Sequence, residues 1–317
     1  MDRTGYNIGD EVLVNNQQRL RIISKLGDEH CLHQTYRCVP LDQTGGGVVL
    51  KKFKDEGIGH ANLKRYALEA FRHFSRAREQ LIAAGIPDVH FCDAKHSLMD
   101  FVPGTNLEYY EFSADIKDRV AHIRDLLLSV IEPMEALRQA GLVHRDIKAP
   151  NMILRKSITT TPARKSVVAL IDLDTLTPAH EAPPSESLVY GSPSHMSFEV
   201  ISGGFYQFGS DAYALGVTGI ELLEKGLNIS IMDTYTAHCE YFQDYARTRH
   251  AKSWLLRDRW PQLIEEVSNS PYSWDPRPVK QVLGLIYECL HDEVSDRPKD
   301  GETMRQLLND TGNLTEL

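Results

Sequence analysis

The segment His144-Arg145-Asp146-Ile147-Lys148-Ala149-Pro150-Asn151 carries a carboxylate, an ammonium two places later and an amide five places later. One loop with that set can do three jobs. Asp146 can orient an attacking hydroxyl, Lys148 can neutralise a transferring phosphoryl group, and the amide oxygen of Asn151 can hold a divalent cation. Twenty-one residues beyond Asn151 the apolar run VVALI ends in Asp172-Leu173-Asp174. Asp172 therefore stands at the end of a buried strand, where a second metal ligand would sit. A third group comes from Lys51 and Lys52 in VVLKKF. On an alternating strand these two lysines face opposite ways, so only one can point inward.

The elements that must position these groups are readable from periodicity. Ile8 to Val14 and Arg19 to Lys25 flank the turn pair Asn15-Asn16, and Thr35 to Val39 faces VVLKKF across a glycine turn at 45–47. A helix is expected over Ala61 to Ala84, stopped by Gly85 and Pro87, followed by short strands at 89–93 and 96–100. Beyond Pro103-Gly104-Thr105-Asn106 the pattern turns helical. Ile123, Leu127, Val130, Met134 and Leu137 form one apolar stripe ended by Gly141, and residues 210–225 are apolar nearly all round. Val279 to Leu290 is a further helix, while 157–165 and 180–187 read as loops. Strands first and helices later predict an α+β chain with a small β-rich lobe and a larger helical lobe.

Composition narrows the partners. The 317 residues carry 35 Lys and Arg against 44 Asp and Glu, a net −9 that argues against nucleic acid as the main partner. Five scattered cysteines (Cys31, Cys38, Cys92, Cys239, Cys289) without a C-x-x-C pair read as free thiols of a reducing compartment. His30, Cys31, His33 and Cys38 cluster, but without the paired spacing of a metal site. No apolar run reaches about 18 residues, and the first ten residues lack a signal-peptide core. A soluble, cytoplasmic protein is expected, with a host-cell cytosol as the compartment for a secreted effector.

The loop at 144–151 matches in full the H-R-D-x-x-x-x-N pattern of the protein kinases, and the chain resembles that family over roughly residues 19 to 310. The resemblance implies one bilobal catalytic domain: an extension at 1–18, a small lobe at 19–102 and a helical lobe at 103–317. It implies ATP and Mg²⁺, with Mn²⁺ as the alternative ion, and a protein substrate. Lys51 is then the phosphate-pairing lysine, Asp146 the group that accepts the hydroxyl proton, Lys148 its charge-offsetting neighbour, and Asn151 and Asp172 the metal ligands. Gly27 belongs to the phosphate loop. Asp100 and Val102 would meet adenine, Asn106 the ribose, and Ile153 would help line the nucleotide pocket. The stretch ending in Ser197-Phe198-Glu199 is similar to the end of an activation loop, where Glu199 would pair with Arg297 and Asp211 would staple the catalytic loop. Lys148 together with Ser192 resembles the serine/threonine branch. Arg145 implies a phosphate switch, with Ser185, Ser187, Ser192 or Tyr190 in the loop between Asp172 and Glu199; autophosphorylation at Ser185 or Ser187 is the expectation.

Departures from the family pattern carry equal information. The phosphate loop keeps only Gly27, which leaves fewer backbone N–H groups able to approach phosphates. D-F-G is Asp172-Leu173-Asp174, with Leu173 expected to pack inward and Asp174 to be dispensable, a direct contribution of Asp174 to a second metal being the rival reading. The helix glutamate that should pair with Lys51 is Glu69 by separation, with Glu79 as its rival. Two other functions fit parts of the pattern. One is a pseudokinase binding module, motivated by the missing glycines; the other is a small-molecule kinase of the aminoglycoside phosphotransferase type, where I-D-x-D is common. Retention of lysine, base and metal ligands argues against the first. The activation-loop segment and the helix headed by Asp211 argue against the second.

Overall fold

Period-two burial drives the first hundred residues into a sheet. The computed structural model describes residues 5–27, 33–42, 46–54, 60–114, 116–156, 167–180, 191–201, 205–229, 260–261, 263–273 and 275–309. Within it β1 (Glu11–Val14), β2 (Gln18–Leu26), β3 (His33–Pro40), β4 (Val48–Phe53), β5 (Val89–Cys92) and β6 (His96–Asp100) make one antiparallel sheet in the order β1-β2-β3-β4-β6-β5. Asn15 and Asn16 take positive φ (48° and 60°), and the Gln17 N–H closes the turn on the Val14 carbonyl. Asparagine tolerates that conformation better than most residues. Residues 11–14, expected as a strand within the N-terminal extension, form the edge strand of the sheet.

One face of the sheet is apolar. Val12, Val14, Leu20, Ile22, Tyr36, Cys38, Val48, Leu50 and Leu98 cluster there. Alternation puts Val49, Lys51 and Phe53 on the opposite face, so Lys51 is buried at 5 % exposure, whereas the Lys52 ammonium lies outside over the Tyr6 ring. The expected single helix at 61–84 is two helices, α1 (His60–Arg76) and α2 (Arg78–Ala83). The break falls at Ala77 (φ −114°, ψ 14°), directly before Arg78, which forks onto Asp88.

The second part is built on helices. The Asp118 side chain caps α3 (Arg119–Gln139), and Gly141 ends it with φ 71°. Strands β7 (Gly104–Asn106), β9 (Met152–Arg155) and β10 (Val168–Leu170) form a small sheet under the cleft, and β8 (Leu142–Val143) pairs with β11 (Thr177–Pro178). Then come α4 (Phe198–Ile201), α5 (Phe208–Leu227), α6 (Pro276–Cys289) and α7 (Gly301–Asn309). Helix α5 is buried on almost every side. Its Gly216 and Gly219 let α6 come close: a Cβ at either would stand 2.9 Å from a side-chain atom of Cys289 or Ile286. The loops expected at 157–165 and, past His180, at 181–187 lie outside the described residues.

Candidate active site

The catalytic-loop residues are locked by short polar contacts. Asp211, buried in the first turn of α5, accepts the backbone N–H of His144 at 2.7 Å and of Arg145 at 2.9 Å. Burial pushes the Asp211 carboxyl above its ordinary value, against the pull of His144 and of those two donors. The grip holds Arg145 at φ 74°, a left-handed conformation that a non-glycine residue keeps only when its surroundings enforce it. Asp146 follows, 6 % exposed, with its carboxylate held by three side chains. Asn151 Nδ2 donates to Oδ2 at 2.8 Å, Lys148 Nζ lies 2.9 Å from the same oxygen, and Ser192 Oγ donates to Oδ1 at 2.9 Å. Lys148 Nζ also donates to Ser192 Oγ at 2.7 Å. The Ser192 hydroxyl is thereby engaged by both groups. That geometry lets it hold Asp146 and Lys148 in place. The other candidates for the loop phosphate, Ser185, Ser187 and Tyr190, lie outside the described residues.

Across the cleft Lys51 donates to two carboxylates, Asp172 and Asp174, the latter at 2.7 Å. Burial pulls the Lys51 ammonium down, but the two carboxylates outweigh it and raise it above its ordinary value. Asp172 mirrors this: burial pushes it up, while Lys51 and then His33 hold it well below the carboxylate range. Asp172 itself sits at φ 64°, and Leu173 is 4 % exposed in the core. Asp174, expected to be dispensable, is instead a buried partner of Lys51. The reason is spatial: the turn at 173–175 aims the carboxylate back at β4, a contact across 123 residues.

His33 opens β3 opposite Phe53, two places from Thr35, which faces Lys51. Its imidazole, Asp172 and Asp174 place one potential ligand atom each within 4.8 Å of one another. Burial, with Lys51 beyond it, keeps His33 below the ordinary imidazole value. Its Nδ1 is buried without a hydrogen-bond partner among the described residues. Cys31 and His30 lie outside those residues, and Cys38 is buried as a free thiol.

Neither candidate glutamate reaches Lys51. Glu69 is half-buried on α1 and makes no ion pair with it, and Glu79 is exposed on α2. In place of the expected Lys51–Glu69 pair, Lys51 is held by Asp172 and by Asp174, which stands where the family has glycine. Gly27 is exposed at φ 74° with open space around it. At the lobe junction the Asp100 N–H is taken by the Asp88 carbonyl, while Val102 is buried. Both ends of the Asn106 amide are engaged: Nδ2 donates to the Pro150 carbonyl at 2.6 Å, and Oδ1 accepts from the Glu108 N–H at 2.8 Å. That clamps the junction to the catalytic loop and leaves a ribose to compete for the amide. Ile153 pairs with Asn106 on β9, beneath the junction.

Asn151 spends its nitrogen on Asp146, which leaves its amide oxygen as the ligand atom; with Asp172 it offers hard oxygen donors suited to Mg²⁺. Beyond Lys148 a cleft of about 420 Å³ opens, lined by Ser192, His195, Glu221 and Lys225 among others. Below it Arg297, 2 % exposed, forks onto Glu199 at 2.7 and 3.1 Å and also donates to the carbonyls of Gly209, His291 and Asp292. The Arg145 guanidinium lies 4.0 Å from the Tyr206 ring centre and 5.8 Å from that of Tyr66.

The family model described as protein kinase domain matches residues 34–311. The chain is 22% identical over 218 residues to cysteine-rich receptor-like protein kinase 37 of Arabidopsis thaliana, covering 66% of this chain and 32% of that one. It is 25% identical over 178 residues to the probable serine/threonine-protein kinase PknB of Lactococcus lactis, covering 56% and 26%. The chain thus spans about a third or less of the length of these curated relatives. Among solved structures it is similar to vaccinia related kinase 3, with a TM-score of 0.56, 14% identity and coverage of 96% and 90%. The fold is the bilobal α+β kinase fold, and the chain belongs to the protein kinase domain family. Among the described residues no helix is long and apolar enough to cross a membrane.

Proposed function

We propose that the chain transfers the γ-phosphoryl group of ATP to serine and threonine hydroxyls of proteins. The observation that carries this reading is the Asp146 carboxylate, fixed by Asn151, Lys148 and Ser192. Asp146 orients the incoming hydroxyl and accepts its proton, while Lys148 offsets charge on the transferring group. Lys51 braces the α- and β-phosphates once nucleotide draws it from Asp174. Asn151 and Asp172 would hold Mg²⁺, which when bound supplies charge neutralisation between phosphate oxygens. Asp100 and Val102 take adenine against Ile153, Asn106 lies near the ribose, and Gly27 belongs to the turn over the phosphates. Peptide docks in the cleft beside Lys148 and Ser192. Arg145 receives a phosphate that the chain places on itself at Ser185 or Ser187, and the compartment is the cytoplasm.

Incubation with labelled Mg-ATP, a generic protein substrate and a panel of small alcohols tests the reading. Label on protein that disappears in Asp146→Asn supports it; label on alcohols alone overturns it. Mass spectrometry of the same sample finds the loop phosphate, and full activity without one removes the switch. A second reading, a nucleotide-binding module that does not transfer, is favoured by one observation: Lys51 is neutralised by two carboxylates under a glycine-poor loop. Saturable ATP binding with no product would select it.

A further inference from the structure

Lys51, Asp172 and Asp174 form a group with two carboxylates and one ammonium, so one negative charge is in excess beneath the sheet. An uncompensated charge there is costly, and a cation would remove the cost. The imidazole of His33 borders the same spot, with a buried Nδ1 that has no hydrogen-bond partner among the described residues. An imidazole ligand has no counterpart in the two-oxygen site of Asn151 and Asp172.

We propose that His33, Asp172 and Asp174 bind a divalent transition ion, Mn²⁺ in preference to Mg²⁺, without nucleotide. The donor set decides the ion. An imidazole nitrogen suits transition metals, whereas Mg²⁺ demands oxygen ligands and keeps its waters. The spacing fits as well. Two metal–ligand bonds of roughly 2.1 Å span about 4.2 Å, and the three atoms already lie within 4.8 Å, so small side-chain rotations close the site. The ion takes over the charge that Lys51 neutralises and releases the ammonium toward the phosphates. The carboxylate at Asp174 then has a purpose that a glycine could not serve.

Mn²⁺ alone, titrated into the full chain without nucleotide and followed by electron paramagnetic resonance, tests the site directly. The expected result is one bound ion with nitrogen hyperfine coupling, undisplaced by an equal concentration of Mg²⁺. His33→Ala, checked for folding by circular dichroism, should weaken binding at least about tenfold and remove the coupling. Should that variant misfold, the coupling in the unmodified chain decides by itself. No binding without nucleotide, bound Mn²⁺ without nitrogen coupling, or unchanged affinity in folded His33→Ala overturns the site. None of these readouts requires phosphotransfer, so failure of the proposed activity leaves the result intact, and the reverse also holds.

Discussion

Two sides of one cleft follow different rules. On the helical side the Asp146 loop is held by directed contacts: Asp211 holds the loop backbone, Asn151 and Ser192 hold the carboxylate, and Arg297 locks Glu199. On the sheet side the lysine is held by Asp172 and Asp174, the helix glutamate stands apart, and an imidazole borders the site. The helical side is fixed by directed hydrogen bonds that tie one short loop to Ser192 and Asp211, 46 to 67 positions away. The sheet side is a balance of charges, which can be rebuilt with different residues as long as the sum is kept. In this chain the family pattern is kept in the loop around Asp146 and altered around Lys51.

The largest effect should come from the helical side. Asp146→Asn keeps the shape but removes the proton acceptor, and transfer should fall by about 10²–10⁴-fold with nucleotide affinity unchanged. Steady-state kinetics beside nucleotide titration checks this; retained activity breaks the contrast between the two sides.

Arg297→Ala strands Glu199 in a mostly buried position and should cost about 3–5 kcal/mol of stability, read from denaturant midpoints. The pair also fixes a pH dependence. Burial raises the Glu199 carboxyl, but Arg297 outweighs this and holds it below its ordinary value of 4.5. Its contribution is therefore complete above that value and is lost as pH falls through the lowered one. The Arg297→Ala variant should lack this part of the acid limb.

Ser192→Ala removes one charge-assisted hydrogen bond, of about 1.5–3 kcal/mol, from Asp146. Turnover should fall by roughly tenfold to a hundredfold, and Ser192→Thr should restore it. Equal loss in both variants would mean that the contact is incidental.

The smallest effect belongs to the sheet side. Because Glu69 does not touch Lys51, Glu69→Ala should change turnover by less than about threefold, within the ±0.5 kcal/mol of an uncoupled site. Lys51→Ala, which removes the group that Asp172 and Asp174 hold, should lower it by more than that. Matching losses would show that the glutamate swings in during turnover and that the difference between the two sides is conformational.

Much of this was legible in the chain. Alternation in VVLKKF aims Lys51 inward and Lys52 outward, and Asn15-Asn16 marks the hairpin, because both signals depend only on neighbours along the sequence. The loop around Asp146 is readable for the same reason: its residues lie within eight positions. The Lys51–Asp174 contact is not readable, since it joins residues 123 positions apart and its aim depends on a turn after β10. The interruption at Ala77 was missed because no glycine or proline announces it; the pull of Asp88 on Arg78 lies beyond the helix. The partnership of Ser192 with Asp146 is not readable either, since 46 positions separate them.

The two amides held by Asp211 also bear on time. A carboxylate in the first turn of the buried helix α5 cannot let go of His144 and Arg145 unless that helix moves. Protection of those amides against hydrogen exchange should track the opening of the whole helical core, not of a surface loop. The segment bearing Asp146 is then expected to open only together with that core. If the chain turns over as proposed, gating faster than core opening is expected on the sheet side, at the proposed release of Lys51 from Asp174.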